Sequence, residues 1–292
     1  MEASCVIGPG SRVHVSGETG LVPWWSFTKT VLATTALRLV ETGALALDEP
    51  VGGERYTLRH LLRHEAGLQD YGGLQKYQNA VTGGQEPWIV EELLRLAGGA
   101  RLIFEPGGGW AYSNIGYLKV GQIVASAAGE SLDAAVRRFV LIPAGAASAR
   151  FALTREDLRD VNVGGATGYH PGWVYHGLLV GQLLDAARVL HSLLVGDLLG
   201  GAMLAEMRDA RVLPQFRSPL WLEPAYGLGL MTPAVPGGRR VLGHSGEGPG
   251  STIAVYGVEG IYGPSVAGAW SSRDAPISVE TAALNLLDGE QV

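Results

Sequence analysis

Ser26-Phe27-Thr28-Lys29 sets a hydroxyl and an amine three positions apart, which on a helix places both on one face. That pairing suits nucleophilic acyl transfer, in which a serine needs a nearby base and its tetrahedral intermediate needs an oxyanion donor. Ser26 falls where helical periodicity begins, so backbone N–H groups and the helix dipole there favour developing negative charge. Lys29 can accept the serine proton only when uncharged. This requires burial, with Trp24, Trp25 and Phe27 at hand to exclude water. A capping serine followed by a solvated lysine would produce the same tetrad. Lysine is scarce in this chain, however, with Lys29, Lys76 and Lys119 set against nineteen arginines.

Two further groups have chemical potential. Tyr112-Ser113-Asn114 follows the loop Phe104-Glu105-Pro106-Gly107-Gly108-Gly109 and precedes a helical run. A phenol there can relay protons and an asparagine can hold a substrate amide, although Ser113 or Asn114 also qualifies as a plain N-cap. His244-Ser245-Gly246 ends a short strand, and Gly248-Pro249-Gly250 leads into the next. An open strand edge beside a small Gly246 would let substrate pair along it, with the Glu247 N–H as a second oxyanion donor. The same stretch, Gly243-His244-Ser245-Gly246, approximates the nucleophile elbow of an α/β-hydrolase with Ser245 as nucleophile. Against this, an elbow must lead into a helix, and 251–259 reads as a strand. His60 and His64 have the i, i+4 spacing of helix-borne metal ligands, but no third ligand is evident and no metal is expected. His176, with Trp173 and Tyr175, falls in a glycine-rich loop where it would line a cleft.

The elements carrying these groups follow from periodicity. Runs 4–7 and 12–16 read as a hairpin turned by Gly8-Pro9-Gly10. A helix is predicted from Ser26 to Gly43, with others at 57–66, 87–97, 115–128, 132–141, 178–195 and 199–210. Segments 226–231, 240–244, 251–258 and 265–271 read as strands, and 277–287 as a closing apolar helix. A lone N-terminal hairpin would be marginal, so it is expected to join the C-terminal strands. The expected fold is therefore mixed α/β (α+β): a five-stranded antiparallel sheet flanked by helices, plus a mainly helical lobe. Residues 1–48 and 162–292 are assigned to the α/β domain and 49–161 to the helical domain, with a cleft between them.

Composition narrows the function classes. Charged residues make up 17% of the 292 positions, below the roughly 25% of an ordinary globular chain, and apolar residues 47%. The net charge is −6, and basic residues cluster no further than the pairs Arg137-Arg138 and Arg239-Arg240. A nucleic-acid partner is not expected. Cys5 stands alone, which removes an intramolecular disulfide and thiol-rich metal sites. No run is long and apolar enough to span a membrane, and the first ten residues lack the pattern of a secretory signal. A cytoplasmic location is expected, with no membrane partner.

Taken together and in order, SxxK, YxN and HSG make the sequence resemble the penicillin-recognising serine hydrolases. This is the family of serine β-lactamases, penicillin-binding proteins and DD-peptidases, and the likeness is to its class C-like branch of esterases and D-amino-acid peptidases. Leu61-Leu62-Arg63-His64-Glu65-Ala66-Gly67-Leu68 is similar to the branch's LLxHxSGL, with Ala66 for serine. Phe104 to Tyr117 resembles FxPG…YSNxGY, and Tyr226-Gly227-Leu228-Gly229 resembles YGLG. Gly177 to Asp185 resembles GGL…D, with His176 in place of the first glycine. The resemblance implies Ser26 as the acylated nucleophile, Lys29 as its proton acceptor and Tyr112 as the acid/base. It implies Asn114 as the contact to the substrate amide, and the N–H groups of Ser26 and Glu247 as the oxyanion hole. His244 would stand where many members carry lysine, and Ser245 and Gly246 would complete that edge. No cofactor is implied. The expected substrate is a small ester, an amide or a short peptide, and the same fold can alternatively serve as a sensor that is acylated without turnover.

The departures are informative. Only twenty-five residues precede Ser26, so the N-terminal helix common in the family is expected to be missing. One sheet face would then need cover, and a homodimer could supply it. A histidine at 244 is mostly neutral, and Glu247 adds negative charge, so carboxylate-bearing β-lactams are expected to be poor substrates. Neutral esters, or amides with a free amine, are expected to be better.

Overall fold

Along Ala3–Gly8, Ala3, Cys5 and Ile7 face one way and Val6 the other, and all are buried, so this segment must be covered on both sides. A computed structural model of the protein, describing residues 2–99 and 101–289, shows how this is done. The chain opens with β1 (Ala3–Gly8), β2 (Arg12–Gly17) and β3 (Leu21–Pro23), followed by a 3₁₀ turn at Trp25–Phe27. Helices α1 (Thr28–Glu41), α2 (Leu58–Leu62), α3 (Gln75–Thr82), α4 (Val90–Leu96), α5 (Asn114–Ala128) and α6 (Leu132–Val136) come next. A π-helical segment, Arg137–Leu141, extends α6. Then follow β4 (Arg150–Ala152), β5 (Leu178–Gln182), α7 (Leu183–Val195), α8 (Gly201–Arg208), β6 (Arg211–Val212) and β7 (Ala225–Tyr226). The chain closes with β8 (Leu242–Gly248), β9 (Ser251–Val258), β10 (Ser265–Ser271) and α9 (Pro276–Gly289).

The main sheet has the order β2-β1-β10-β9-β8, antiparallel throughout, which joins the two chain ends as expected. Helix α7 covers one face, where Cys5, Ile7, Val255 and Trp270 point. Helix α9 covers the other, packing Val279, Ala283 and Leu287 on Val6, Ala254, Tyr256 and Ala267. The central strands are therefore covered on both faces within one chain, and the dimer is not needed for that purpose. Exposure is greatest at the β2 edge, with Val13 and Val15 outward, and at the other edge Glu247 of β8 is exposed. Helix α1 is buried on nearly all sides and packs on α5, α6 and the π segment. No helix among the described residues is long and apolar enough to cross a membrane.

Several expected elements are corrected. The run 178–195 is a strand followed by a helix: Leu178–Gln182 pairs with β3 and β4 in a small three-stranded sheet before α7 begins. Helix 57–66 shrinks to Leu58–Leu62, because His64 adopts a left-handed φ of 61°. Strand 226–231 reduces to Ala225–Tyr226, and 240–244 becomes Leu242–Gly248. The helix predicted from residue 87 starts at Val90, and α3 has no counterpart among the predicted helices.

Candidate active site

Ser26 lies in the 3₁₀ turn just ahead of α1, so its backbone is set by what holds Trp24 and Trp25. The Trp24 N–H donates to Leu179 O at 2.8 Å, tying the turn to the small sheet. Trp25 has a left-handed φ of 41°, strained for a side chain of its size. Its indole over-determines that geometry by donating to Ser251 Oγ at 3.0 Å and meeting the Tyr169 ring edge-on at 5.6 Å.

Around Ser26 Oγ the predicted groups converge. Lys29 Nζ stands 3.1 Å away and the Tyr112 hydroxyl donates at 2.8 Å. Lys29 is fully buried, and burial drives its amine from an ordinary 10.5 to about 7, with Asp70 pulling in the opposite direction. Burial pushes the Tyr112 phenol well up, so it keeps its proton at neutral pH. The helix-start placement of Ser26 is corrected by two residues: α1 proper begins at Thr28, though the 3₁₀ turn leads into it without a break.

Strand β8 runs past the serine. Met231 and Gly243 exchange both backbone hydrogen bonds on the side away from β9, so by strand alternation the Ser245 and Glu247 amides face the same outer edge. Gly246 is what allows the approach, since a Cβ there would stand 2.5 Å from Ser26 N and 2.8 Å from Trp25 Cβ. The Glu247 side chain shares the α9 face with Ser245, near enough to Glu280 to oppose its ionisation. Asn114 opens α5, its N–H donating to Asp70 Oδ1 at 2.8 Å and its Nδ2 to Oδ2 at 3.3 Å. This leaves the Asn114 carbonyl oxygen unclaimed by Asp70.

His244 is buried, bonded through Nε2 to Tyr226 Oη at 2.9 Å and through Nδ1 to Ser245 O at 2.5 Å. Burial and then the Lys29 charge depress it to about 3, well below the ordinary 6.5, so it is neutral at any pH of interest. The Ser245 hydroxyl donates to Glu280 Oε1 at 2.6 Å. The α/β-hydrolase alternative fails here, because β8 continues to Gly248 and turns into β9 with no helix to form an elbow.

Three further residues take part in ways that their local sequence did not indicate. His64 stacks at 4.4 Å on Tyr112 and accepts the Ser113 N–H on Nδ1 at 3.1 Å, fixing the loop that carries the phenol. His60 instead closes a capping box with Thr57, so the two histidines do not converge. Glu280 reaches the cleft from the far end of the chain, and Tyr226 joins Trp110, Phe216 and Trp221 in an aromatic wall. His176, expected only to line the cleft, lies 3.2 Å from Lys29 Nζ. Among the described residues no cluster of His, Cys, Asp or Glu is arranged to hold a metal.

A cleft of about 500 Å³ opens on one side of Ser26, and a hollow of about 180 Å³, walled by Tyr71, Tyr77, Tyr169 and Trp173, lies on the other. Among the described residues, Glu247 and Glu280 are the charged side chains lining them, with no arginine or surface lysine.

Comparison with known proteins places this geometry in context. Over 140 residues the chain is 36% identical to Esterase EstB of Burkholderia gladioli, covering 41% of this chain and 36% of that protein. The matched stretches span about a third of the curated relatives' own length. In fold it is similar to D-amino acid amidase from Ochrobactrum anthropi SV3, with a TM-score of 0.79 at 21% identity, covering 99% of this chain and 92% of that one. It is equally similar to an octameric penicillin-binding protein homologue from Pyrococcus abyssi, with a TM-score of 0.79 at 22% identity over 98% and 73% of the two chains. The family described as Beta-lactamase matches residues 8–287, and the chain belongs to that family.

Proposed function

We propose that this chain is a serine hydrolase working through an acyl-enzyme on Ser26, acting on small esters or on amides that carry a free amine. The observation that carries this reading is the convergence of Lys29 Nζ at 3.1 Å and the Tyr112 hydroxyl at 2.8 Å on one serine oxygen at the mouth of a cleft. Neutral Lys29 takes the Ser26 proton as Oγ attacks the substrate carbonyl. The oxyanion is met by the N–H groups of Ser26 and Glu247. On collapse Tyr112 hands its proton to the leaving atom and recovers one from Lys29. Water, activated through the same pair, then releases the acyl group and restores Ser26. Asn114 holds the acyl-side amide when there is one.

The substrate class is supported by charge. A carboxylate entering beside His244 would meet a neutral ring, with Glu247 and Glu280 at hand and no cation exposed, so its desolvation would go uncompensated. An ammonium group would find both carboxylates and the aromatic wall. The esterase and the D-amino acid amidase among the relatives fit the same choice.

The test is a panel of nitrophenyl esters, D-amino-acid anilides and nitrocefin on the wild type, Ser26→Ala and Glu280→Gln. Turnover of the first two is expected, with a loss of ~10³-fold or more in Ser26→Ala. Glu280→Gln is expected to narrow the preference for amine-bearing substrates roughly fivefold or more. A nitrocefin rate matching the ester rate overturns the substrate class. A Ser26 adduct that persists without turnover makes the protein an acylated sensor instead.

A further inference from the structure

His176 stands where the family resemblance places a glycine, yet its ring reaches the base of the proposed mechanism: Nε2 lies 3.2 Å from Lys29 Nζ, and both residues are buried. A neutral primary amine has two N–H bonds and one lone pair. If the lone pair is to take the Ser26 proton, the N–H bonds must point elsewhere, and in a dry site each needs an acceptor. Burial and the Lys29 charge keep His176 neutral, and in the tautomer that carries its proton on Nδ1 the Nε2 facing the amine offers its lone pair. The other titratable groups around the amine are Asp70, the phenols of Tyr112 and Tyr117 beneath it, and the imidazoles of His64 and His244.

His176 also lines both the hollow beside Ser26 and a separate, largely apolar cavity of about 400 Å³ walled by Leu118, Leu132 and Phe151. It is shared between the proposed site and a second opening to solvent.

We infer that His176 is a positioning residue for Lys29, accepting one amine N–H so that the lone pair stays on Ser26 Oγ, and partitioning the amine from the cavity behind it. This rests on the reading of Ser26 as nucleophile and Lys29 as base.

Three variants test it through the pH dependence of kcat on a nitrophenyl ester. Because Lys29 must be neutral, the rate of the wild type climbs through a midpoint near pH 7. His176→Phe keeps the partition and removes the acceptor, so kcat is expected to fall roughly 10- to 100-fold with KM little changed. Its acid limb should move to lower pH, since the ammonium form loses a partner. His176→Gln retains an acceptor and should stay within about fivefold of wild type. His176→Gly admits water to the amine, and its limb should move to higher pH. A limb at the same pH in all three variants, or His176→Gln as impaired as His176→Phe, overturns the inference. Mapping a fluorophosphonate adduct in the wild type keeps the two readings apart: an adduct away from Ser26 defeats the mechanism itself, whereas with an adduct on Ser26 the three limbs decide the role of His176.

Discussion

A lysine held neutral inside a protein is a stability deficit, and its size can be worked out. The folded value of about 7 lies below the unfolded value of 10.5, so the unfolded chain binds the extra proton between them. Stability from this group is complete above pH 10.5 and declines as pH falls toward 7, at about 1.4 kcal/mol per unit. At pH 7 the deficit is on the order of 4 kcal/mol. Lys29→Met removes it, fills a similar volume, and loses the contacts to Ser26 and His176, worth roughly 1 kcal/mol each. The variant should be inactive, yet more stable than wild type by about 2 kcal/mol at pH 7, and less stable by about 1 kcal/mol at pH 10. The two stabilities should cross near about pH 9. Urea unfolding at pH 7, 8.5 and 10 reads this directly. A difference that does not change with pH would mean that Lys29 is charged in the folded protein, and it could not then serve as the base.

Gly246→Ala would put a methyl carbon 2.5 Å from Ser26 N, about 1 Å short of an ordinary contact, against backbone that cannot yield. kcat should drop ~10²-fold or more, while Gly201→Ala, where nothing lies within 4 Å, should leave it unchanged. Asp185 is buried at the start of α7, accepting from Ser148 N and Oγ at 2.8 and 2.5 Å and from Arg188 at 2.8 Å. Asp185→Ala should cost about 3 kcal/mol in urea unfolding with kcat untouched, and a loss under about 1 kcal/mol would refute that role.

What the sequence disclosed was local. Ser26 and Lys29 share one turn, Tyr112 and Asn114 flank a capped helix, and Gly8-Pro9-Gly10 marks a hairpin, each readable within a few residues. The edge made by His244 to Glu247 was legible because short apolar strands separated by glycine turns have few other uses. Leu178–Gln182 was hidden because only Gly181-Gln182 parts Leu-Leu-Val from the helical Leu-Leu-Asp-Ala-Ala, and a short apolar run has no period of its own. Only its partners β3 and β4 make it a strand. His176 meets Lys29 across 147 positions and His64 meets Ser113 across 49, so neither pairing leaves a mark in spacing. Helix α2 ended early for a similar reason: the left-handed His64 is held by contacts its neighbours in sequence cannot supply.

The indole of Trp25 reaches a hydroxyl 226 positions further along, Gly248 closes over the same ring, and Gly246 lies against its Cβ. During synthesis, therefore, Ser26 leaves the ribosome early, and the indole hydrogen bond that helps to hold its strained neighbour forms only once the β8–β9 hairpin follows. A truncated product lacking β8 and β9 would keep the serine and the lysine and still be silent, since the turn that aims them is anchored elsewhere. A contact across so many positions is closed at a larger entropic cost than a local one.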